Sequence, residues 1–88
     1  MIQRDIVVTN TLGIHARPAS LIVQTSTPFN CDIWLDKDGT TANAKSIMSV
    51  MMLAAACDSK VTIRASGKDE QKAVDAIAHL FEAKFNES

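Results

Sequence analysis

The residues of this chain best suited to chemistry lie in one segment, Gly13-Ile14-His15-Ala16-Arg17-Pro18. Proline is well tolerated in the first turn of a helix, so Pro18 predicts a helix that begins at His15 or Ala16. The positive end of the helix dipole disfavours an imidazolium, which favours the neutral, nucleophilic form of His15. If the ring accepted a phosphoryl group, the backbone N–H groups at the helix start and the Arg17 guanidinium would bind its negative charge.

The surroundings of His15 argue against a hydrolytic triad. No carboxylate lies between Asp5 and Asp32, and no cysteine is adjacent, so a Ser or Cys nucleophile has little support. The alternative interpretation is structural: His15 caps the helix and Arg17 is a solvated charge. The spacing alone leaves both interpretations open.

A second helix is predicted to open at Ser46, a residue type favoured at helix N-caps. On a helical wheel, Val50, Leu53 and Ala54 form one apolar arc, and a second arc consists of Ile47, Met48, Met51 and Met52. A two-layer domain buries one such arc well, so the methionine-rich arc is a candidate docking patch. A wider core that buries both arcs is the structural alternative.

Charge patterning adds to this surface. Arg17 is the only charged residue in 6–31 and Lys45 the only one in 39–57, so both are predicted to stand on an otherwise uncharged surface. A phosphate on Ser46 would be favoured by the helix end and by Lys45, and would place negative charge beside the apolar arc. Ser46 is therefore either a simple cap or a docking switch.

These segments must be positioned by alternating strands and helices. Strands are predicted over 2–9, 31–36, 40–43 and 60–66 from their period of two, with a type I′ hairpin at Asp38-Gly39. Helices are predicted over 16–27, from 46, and from 69 through Phe85. The order β-α-β-β-α-β-α predicts an α+β fold, with a four-stranded, mainly antiparallel sheet covered on one face by three helices.

Composition excludes several classes of protein. The 88 residues suit one domain, 1–88, and 9 basic against 10 acidic residues disfavour nucleic-acid binding through bulk charge. The longest apolar stretch, 47–57, is short for a membrane span and no signal peptide is evident, so a cytoplasmic protein without membrane insertion is expected. Cys31 and Cys57 are predicted to be free thiols, with no metal site. His79 is expected to be a solvated surface residue.

With both segments in view, the chain resembles the histidine-containing phosphocarrier (HPr) family of the bacterial phosphoenolpyruvate-dependent sugar phosphotransferase system. Residues 13–18 look like the family's phosphohistidine motif, and Lys45-Ser46-Ile47-Met48-Ser49-Val50-Met51 looks like its regulatory-serine segment. The resemblance spans essentially the whole chain. It implies an open-faced β-sandwich that carries phosphoryl groups and is not a stand-alone enzyme.

The resemblance also implies roles for individual residues. His15 would be phosphorylated at Nδ1 by enzyme I and would pass the group to sugar-specific IIA domains, while Arg17 and the N–H groups of Ala16 and Arg17 steady it. The implied docking surface consists of Ala16, Ser20, Ile47, Met48 and Met51. Ser46 matches the target of a dedicated ATP-dependent kinase, although Ser49 replaces a glycine common in members with a regulatory serine. A monomer without cofactors is expected.

Three other functions are weighed against this one. A nitrogen-related regulatory paralogue of the same fold would also be phosphorylated on His15, but would act by binding target proteins. A nucleic-acid or ligand-binding domain with a ferredoxin-like sheet has little support, because Trp34 is the only evident aromatic residue of the sheet. A phosphate-ester hydrolase would need a phosphate-binding loop, for which Gly13 alone is weak support.

Overall fold

A computed structural model describes residues 1–87 and confirms the predicted order of elements. The strands and helices are β1 (Ile2–Val7), α1 (Ala16–Ser26), β2 (Cys31–Lys37), β3 (Thr40–Asn43), α2 (Ile47–Met52), β4 (Lys60–Gly67) and α3 (Glu70–Glu82). A short 3-10 turn, Lys84–Asn86, follows α3.

The four strands form one antiparallel sheet, as predicted, and the structure places them in the order β1-β4-β2-β3. In the centre of the sheet Ile33 pairs with Ala65 and Leu35 pairs with Ile63, and all four residues are buried. Their alternation with more exposed neighbours gives the sheet one apolar face, on which the helices pack. The other face stays open, which confirms the open-faced β-sandwich.

The helices complete this core with their apolar stripes. α1 contributes Ala19 and Ile22, and α3 contributes Val74, Ile77 and Phe81, all of them buried. The predicted hairpin between β2 and β3 is confirmed, because Asp38 (φ 48°) and Gly39 (φ 83°) both have the positive φ that a type I′ turn requires.

Two boundary predictions are wrong in detail. β1 ends at Val7, short of the predicted 2–9, because Val8 leaves the strand ladder and exchanges hydrogen bonds with Ser59 O and Asp58 N. Phe85 is buried as expected but lies outside α3, which ends at Glu82. The chain turns through a left-handed segment so that Phe85 packs edge to face on Phe81, with ring centroids 4.8 Å apart.

Residues 1–87 contain no helix that is both long and apolar enough to cross a membrane. The thiols of Cys31, half-buried, and Cys57, exposed, are free. His79 lies exposed on α3.

Candidate functional site

His15 sits at the N-cap of α1 with extended backbone (φ −97°, ψ −165°). Its side chain makes no capping hydrogen bond, and 38% of that side chain is exposed. His15 is therefore the N-cap residue by position, but its side chain does not cap the helix. The imidazole stands at the rim of the molecule, where a reaction partner can reach it.

The predicted start of the helix is confirmed, because α1 begins at Ala16 and Pro18 lies in its first turn. The first intrahelical bond runs from Ala19 N to His15 O at 2.9 Å. The N–H groups of Ala16 and Arg17 precede this bond, and Pro18 has none to offer. Two backbone donors and the positive end of the helix dipole thus lie beside the imidazole, an arrangement suited to an anion.

A carboxylate from the other end of the chain closes the site. Glu87 Oε1 lies 3.2 Å from His15 Nε2, and Glu87 Oε2 lies 3.3 Å from Arg17 Nη1. The same Arg17 nitrogen donates to Phe85 O at 3.2 Å. Arg17 keeps 56% of its side chain exposed, whereas Glu87 keeps 19%. Sequence reasoning missed Glu87, since nothing in the local pattern of the last residues points to the site.

Asn10 is a second residue that sequence reasoning missed. Its fully buried side chain donates from Nδ2 to Gly13 O at 2.7 Å and to Glu87 Oε1 at 2.9 Å. Gly13 N in turn donates to Asn10 O at 3.1 Å, which closes a turn over residues 10–13. Asn at the first position and Gly at the fourth are typical of such turns, so the spacing Asn10 to Gly13 was an available signal.

These contacts hold the Glu87 carboxylate in its ionised form. The hydrogen bond from Asn10 is the main cause that lowers its pKa, followed by the hydrogen bond from His15, while desolvation opposes both. Electrostatic interactions with His15 and Arg17 make smaller contributions in the same direction. The site therefore contains one anion that faces an imidazole and a guanidinium.

The loop that carries His15 is docked on the segment that follows α2. Ile14 N donates to Ala55 O at 2.9 Å, and Gly13 adopts φ 68°. A Cβ atom on Gly13 would lie 2.4 Å from Ala55 O and 2.9 Å from the Cα of Ala56. Gly13 is thus required both for its backbone conformation and for this close approach.

α2 presents one arc to the core and the other to solvent. Val50 and Leu53 are buried, and the apolar patch, which we define as Ile47, Met48, Met51 and Met52, is exposed, Met48 by 70% and Met52 by 76%. The helical wheel places Ala54 on the same arc as Val50 and Leu53, and the expectation that it is buried with them is wrong. It lies past the helix with φ 53° and is exposed, because the chain has already turned out of the helical path.

Ser46 is the N-cap of α2, as predicted, and its Oγ accepts from Ser49 N at 3.3 Å. Ser20 lies on α1 one turn beyond Ala16, half-buried, where its Oγ accepts from Gln24 Nε2 at 3.0 Å. α1 packs against α2, so the helix start at His15 and the apolar patch belong to neighbouring elements.

Lys45, which is predicted to stand on an otherwise uncharged surface, has a backbone partner there. Lys45 is half-buried, and its Nζ donates to Phe29 O at 2.8 Å in the loop after α1. The ammonium group is satisfied at the C-terminal side of that helix, where a positive charge is favoured. Lys45 therefore ties two loops together, and Arg17 is the exposed cation of the site.

Residues 1–87 hold no group of three or more His, Cys, Asp or Glu side chains placed to bind a metal ion. The chemistry available at the site is that of an imidazole, two free backbone N–H groups and an exposed guanidinium. This set suits the transient binding of a phosphoryl group on nitrogen.

Comparisons with known proteins agree on one family. The family model described as "PTS HPr component phosphorylation site" matches residues 2–83. The phosphocarrier protein HPr of Xylella fastidiosa (strain 9a5c) is 44% identical over 87 residues, which cover 99% of this chain and 98% of that protein.

Solved structures show the same relationship. The crystal structure of HPr-C-His from Thermoanaerobacter tengcongensis superposes with a TM-score of 0.96 at 43% identity and covers 100% of this chain and 99% of its own. A crystal structure of the Bacillus subtilis protein Crh, described as a dimer with a swapped domain, gives a TM-score of 0.76 at 42% identity, with 96% of this chain and 97% of its own covered.

Proposed function

The chain belongs to the HPr family of phosphotransferase-system phosphocarriers, and from this premise we propose that His15 accepts a phosphoryl group at Nδ1 from phosphorylated enzyme I and passes it to sugar-specific IIA domains. The observation that carries the proposal is a half-exposed imidazole at the start of α1 that does not cap the helix and engages Glu87 through Nε2. Among the described residues, the ring makes its hydrogen bond through Nε2, which leaves Nδ1 for the phosphoryl group.

The transfer step needs only groups that the site supplies. The Nδ1 lone pair forms the new N–P bond while the bond between phosphorus and the donor breaks, and its electron pair leaves with the donor. The negative oxygens then lie at the N-terminus of α1, where the N–H groups of Ala16 and Arg17 are available. Arg17 can turn its exposed guanidinium from Glu87 and Phe85 O toward these oxygens.

The shallow position of the site suits a carrier, which must release the group as readily as it accepts it. Arg17 holds Glu87 only through a partly exposed contact of 3.3 Å, so little free energy is lost when it changes partner. A phosphoryl group at the rim stays accessible to the next acceptor.

The apolar patch supports a docking role beside His15. The loop of His15 rests on Ala55, directly after α2, and the patch residues of α2 are exposed. Ile47, Met48 and Met51, with Ala16 and Ser20 of α1, form the surface that we propose for both enzyme I and IIA domains. A single surface that binds both partners must fit two different shapes, and flexible methionine side chains can adapt to both.

Ser46 is proposed as a regulatory phosphosite for a dedicated kinase. A phosphate on its Oγ would place a double negative charge at the start of α2, next to Ile47 of the patch. Ser46 is half-buried and its hydroxyl caps the helix, so the hydrogen bond from Ser49 N must break for the hydroxyl to be modified and can form again afterwards. Phosphorylation would weaken apolar docking without entering the His15 site.

We also propose that the protein acts as a cytoplasmic monomer. Its outer strands are poor templates for pairing, because β1 carries Arg4 and Asp5 at its centre and β3 is only four residues long. The relative Crh is described as a swapped dimer, so light scattering is the direct test. A mass near 9.5 kDa supports the monomer, and twice that mass contradicts it.

Intact-mass spectrometry tests the central proposal. The protein is incubated with phosphoenolpyruvate and catalytic enzyme I, before and after brief acid treatment, beside the variant His15→Ala. We expect one acid-labile phosphoryl group on the wild type and none on the variant. Phosphate acceptance by the variant contradicts the role of His15, and acceptance only from a nitrogen-related enzyme I assigns the chain to the regulatory branch.

A further inference from the structure

Neither Glu87 nor Asn10 binds the phosphoryl group in the proposed transfer, yet Glu87 contacts both His15 and Arg17, and Asn10 contacts Glu87. We propose that Glu87 is a positioning residue that holds the proton of the neutral His15 ring on Nε2 and so leaves Nδ1 as the nucleophile. This inference rests on the proposed function, in which Nδ1 is the phosphoryl acceptor. The contact with Glu87 would thereby decide which of the two ring nitrogens is free to react.

The assignment follows from what each group can donate. An ionised carboxylate only accepts hydrogen bonds, so the 3.2 Å contact between Glu87 Oε1 and His15 Nε2 requires the N–H to be on Nε2. A neutral imidazole carries a single N–H, so Nδ1 then bears the lone pair. A group that binds one ring nitrogen thereby fixes the tautomer and the orientation of the other.

Asn10 fixes the carboxylate in turn. Its amide is fully buried and donates to both Gly13 O and Glu87 Oε1. These two hydrogen bonds fix the position of the carboxylate relative to the loop that carries His15. The same contact is the main cause of the lowered pKa of Glu87. The acceptor is therefore ionised and held in place before any partner arrives.

The segment that positions Glu87, which we call the tail (residues 84–87), has an unusual backbone conformation. Lys84, Phe85 and Asn86 all have positive φ (53°, 54° and 60°), a conformation that side-chain-bearing residues rarely adopt in succession. Fully buried Phe85, packed on Phe81, keeps the chain in this conformation. Such backbone strain persists only where the surrounding structure holds it in place. Here the buried side chain of Phe85 holds it, and Glu87 lies two residues further along the chain.

The carboxylate also suits the charge that develops in the reaction. When Nδ1 forms the N–P bond, the ring retains its proton on Nε2 and acquires positive charge. Glu87 Oε1 faces that charge, while its Oε2 releases Arg17 to the phosphoryl oxygens. Loss of the carboxylate removes both the orientation of the ring and the stabilisation of its charge.

Nitrogen-15 NMR of the two histidine rings tests the tautomer directly, at about pH 9, where unperturbed imidazoles are neutral. His79 is exposed and serves as an internal reference within the same spectrum. We expect a larger fraction of the Nε2–H tautomer for His15 than for His79, which falls to the His79 value in Glu87→Ala. The matched control is Glu82→Gln, a change to another carboxylate near the chain terminus that pairs with Arg4 at 2.9 Å instead.

Equal tautomer fractions for His15 and His79 in the wild type overturn the inference, as does an unchanged fraction in a folded Glu87→Ala variant. This measurement uses no phosphoryl donor, so its outcome is independent of the proposed function. In the transfer assay, Glu87→Gln is expected to lower kcat/KM with enzyme I about tenfold, with Glu82→Gln unchanged. A rate equal to or above that of the wild type contradicts positioning and makes Glu87 an inhibitory carboxylate.

Discussion

Replacement of Gly13 by alanine tests how the histidine loop is held on the segment after α2. The added Cβ would lie 2.4 Å from Ala55 O, so that carbonyl must retreat by about 1 Å to restore an ordinary contact of 3.4 Å. This movement stretches the 2.9 Å hydrogen bond from Ile14 N to the same oxygen. Since Ile14 is buried, its N–H has no water to replace the lost acceptor.

The expected cost has two parts. The positive φ of Gly13 penalises any side chain by about 1–2 kcal/mol. An unsatisfied buried N–H costs about 1–3 kcal/mol more. The total, about 2–5 kcal/mol, is large against a stability of about 4–13 kcal/mol for a chain of this length.

Gly39→Ala is the matched control. Gly39 also has positive φ, but a Cβ there meets nothing within 4 Å, so only the conformational penalty applies. Urea unfolding followed by the fluorescence of Trp34, the only tryptophan, measures both variants. We expect Gly13→Ala to lose at least about 1 kcal/mol more than Gly39→Ala. Equal losses would refute the docking of the loop on Ala55.

Three further changes probe the patch, the sheet and the tail. Met48→Asp is expected to weaken binding to enzyme I about tenfold with stability within about 0.5 kcal/mol of the wild type, measured by calorimetry and urea unfolding; unchanged affinity would remove Met48 from the docking surface. The pKa of Asp36 is lowered, chiefly by its hydrogen bonds from Arg64. The variant Asp36→Asn should therefore lose about 1 kcal/mol of stability. This loss should be constant above the ordinary aspartate pKa of about 4 and should vanish as the pH falls through the lowered pKa of Asp36. A stability difference between the wild type and Asp36→Asn that grows as the pH falls would contradict this prediction. Phe85→Ala removes a fully buried ring and is expected to cost about 3 kcal/mol in urea unfolding, and a loss below about 1 kcal/mol would mean that the tail does not depend on its contact with Phe81.

The sheet was readable from the sequence because burial on one face imposes a period of two. The run from Cys31 to Asp36 shows that period most clearly, and it forms β2, one of the two central strands, which pairs with both β3 and β4. The Asp38-Gly39 turn was equally local, since two adjacent residues determine it. Patterns failed where the chain left a regular element, at Ala54 after α2 and at Phe85 after α3, because burial there depends on positive-φ turns that periodicity does not describe.

The site divides in the same way between local and distant residues. His15 and Pro18 mark the helix start within four positions of the chain, so its free N–H groups followed from sequence. Glu87 lies 72 residues from His15, and no spacing rule joins them. The position of Glu87 depends on Phe85, whose burial the apolar pattern predicts but whose left-handed backbone it does not. The motif of residues 13–18 thus identifies His15 as the residue that we propose to react, whereas the choice that we propose between its two nitrogens depends on a contact that only the folded chain creates.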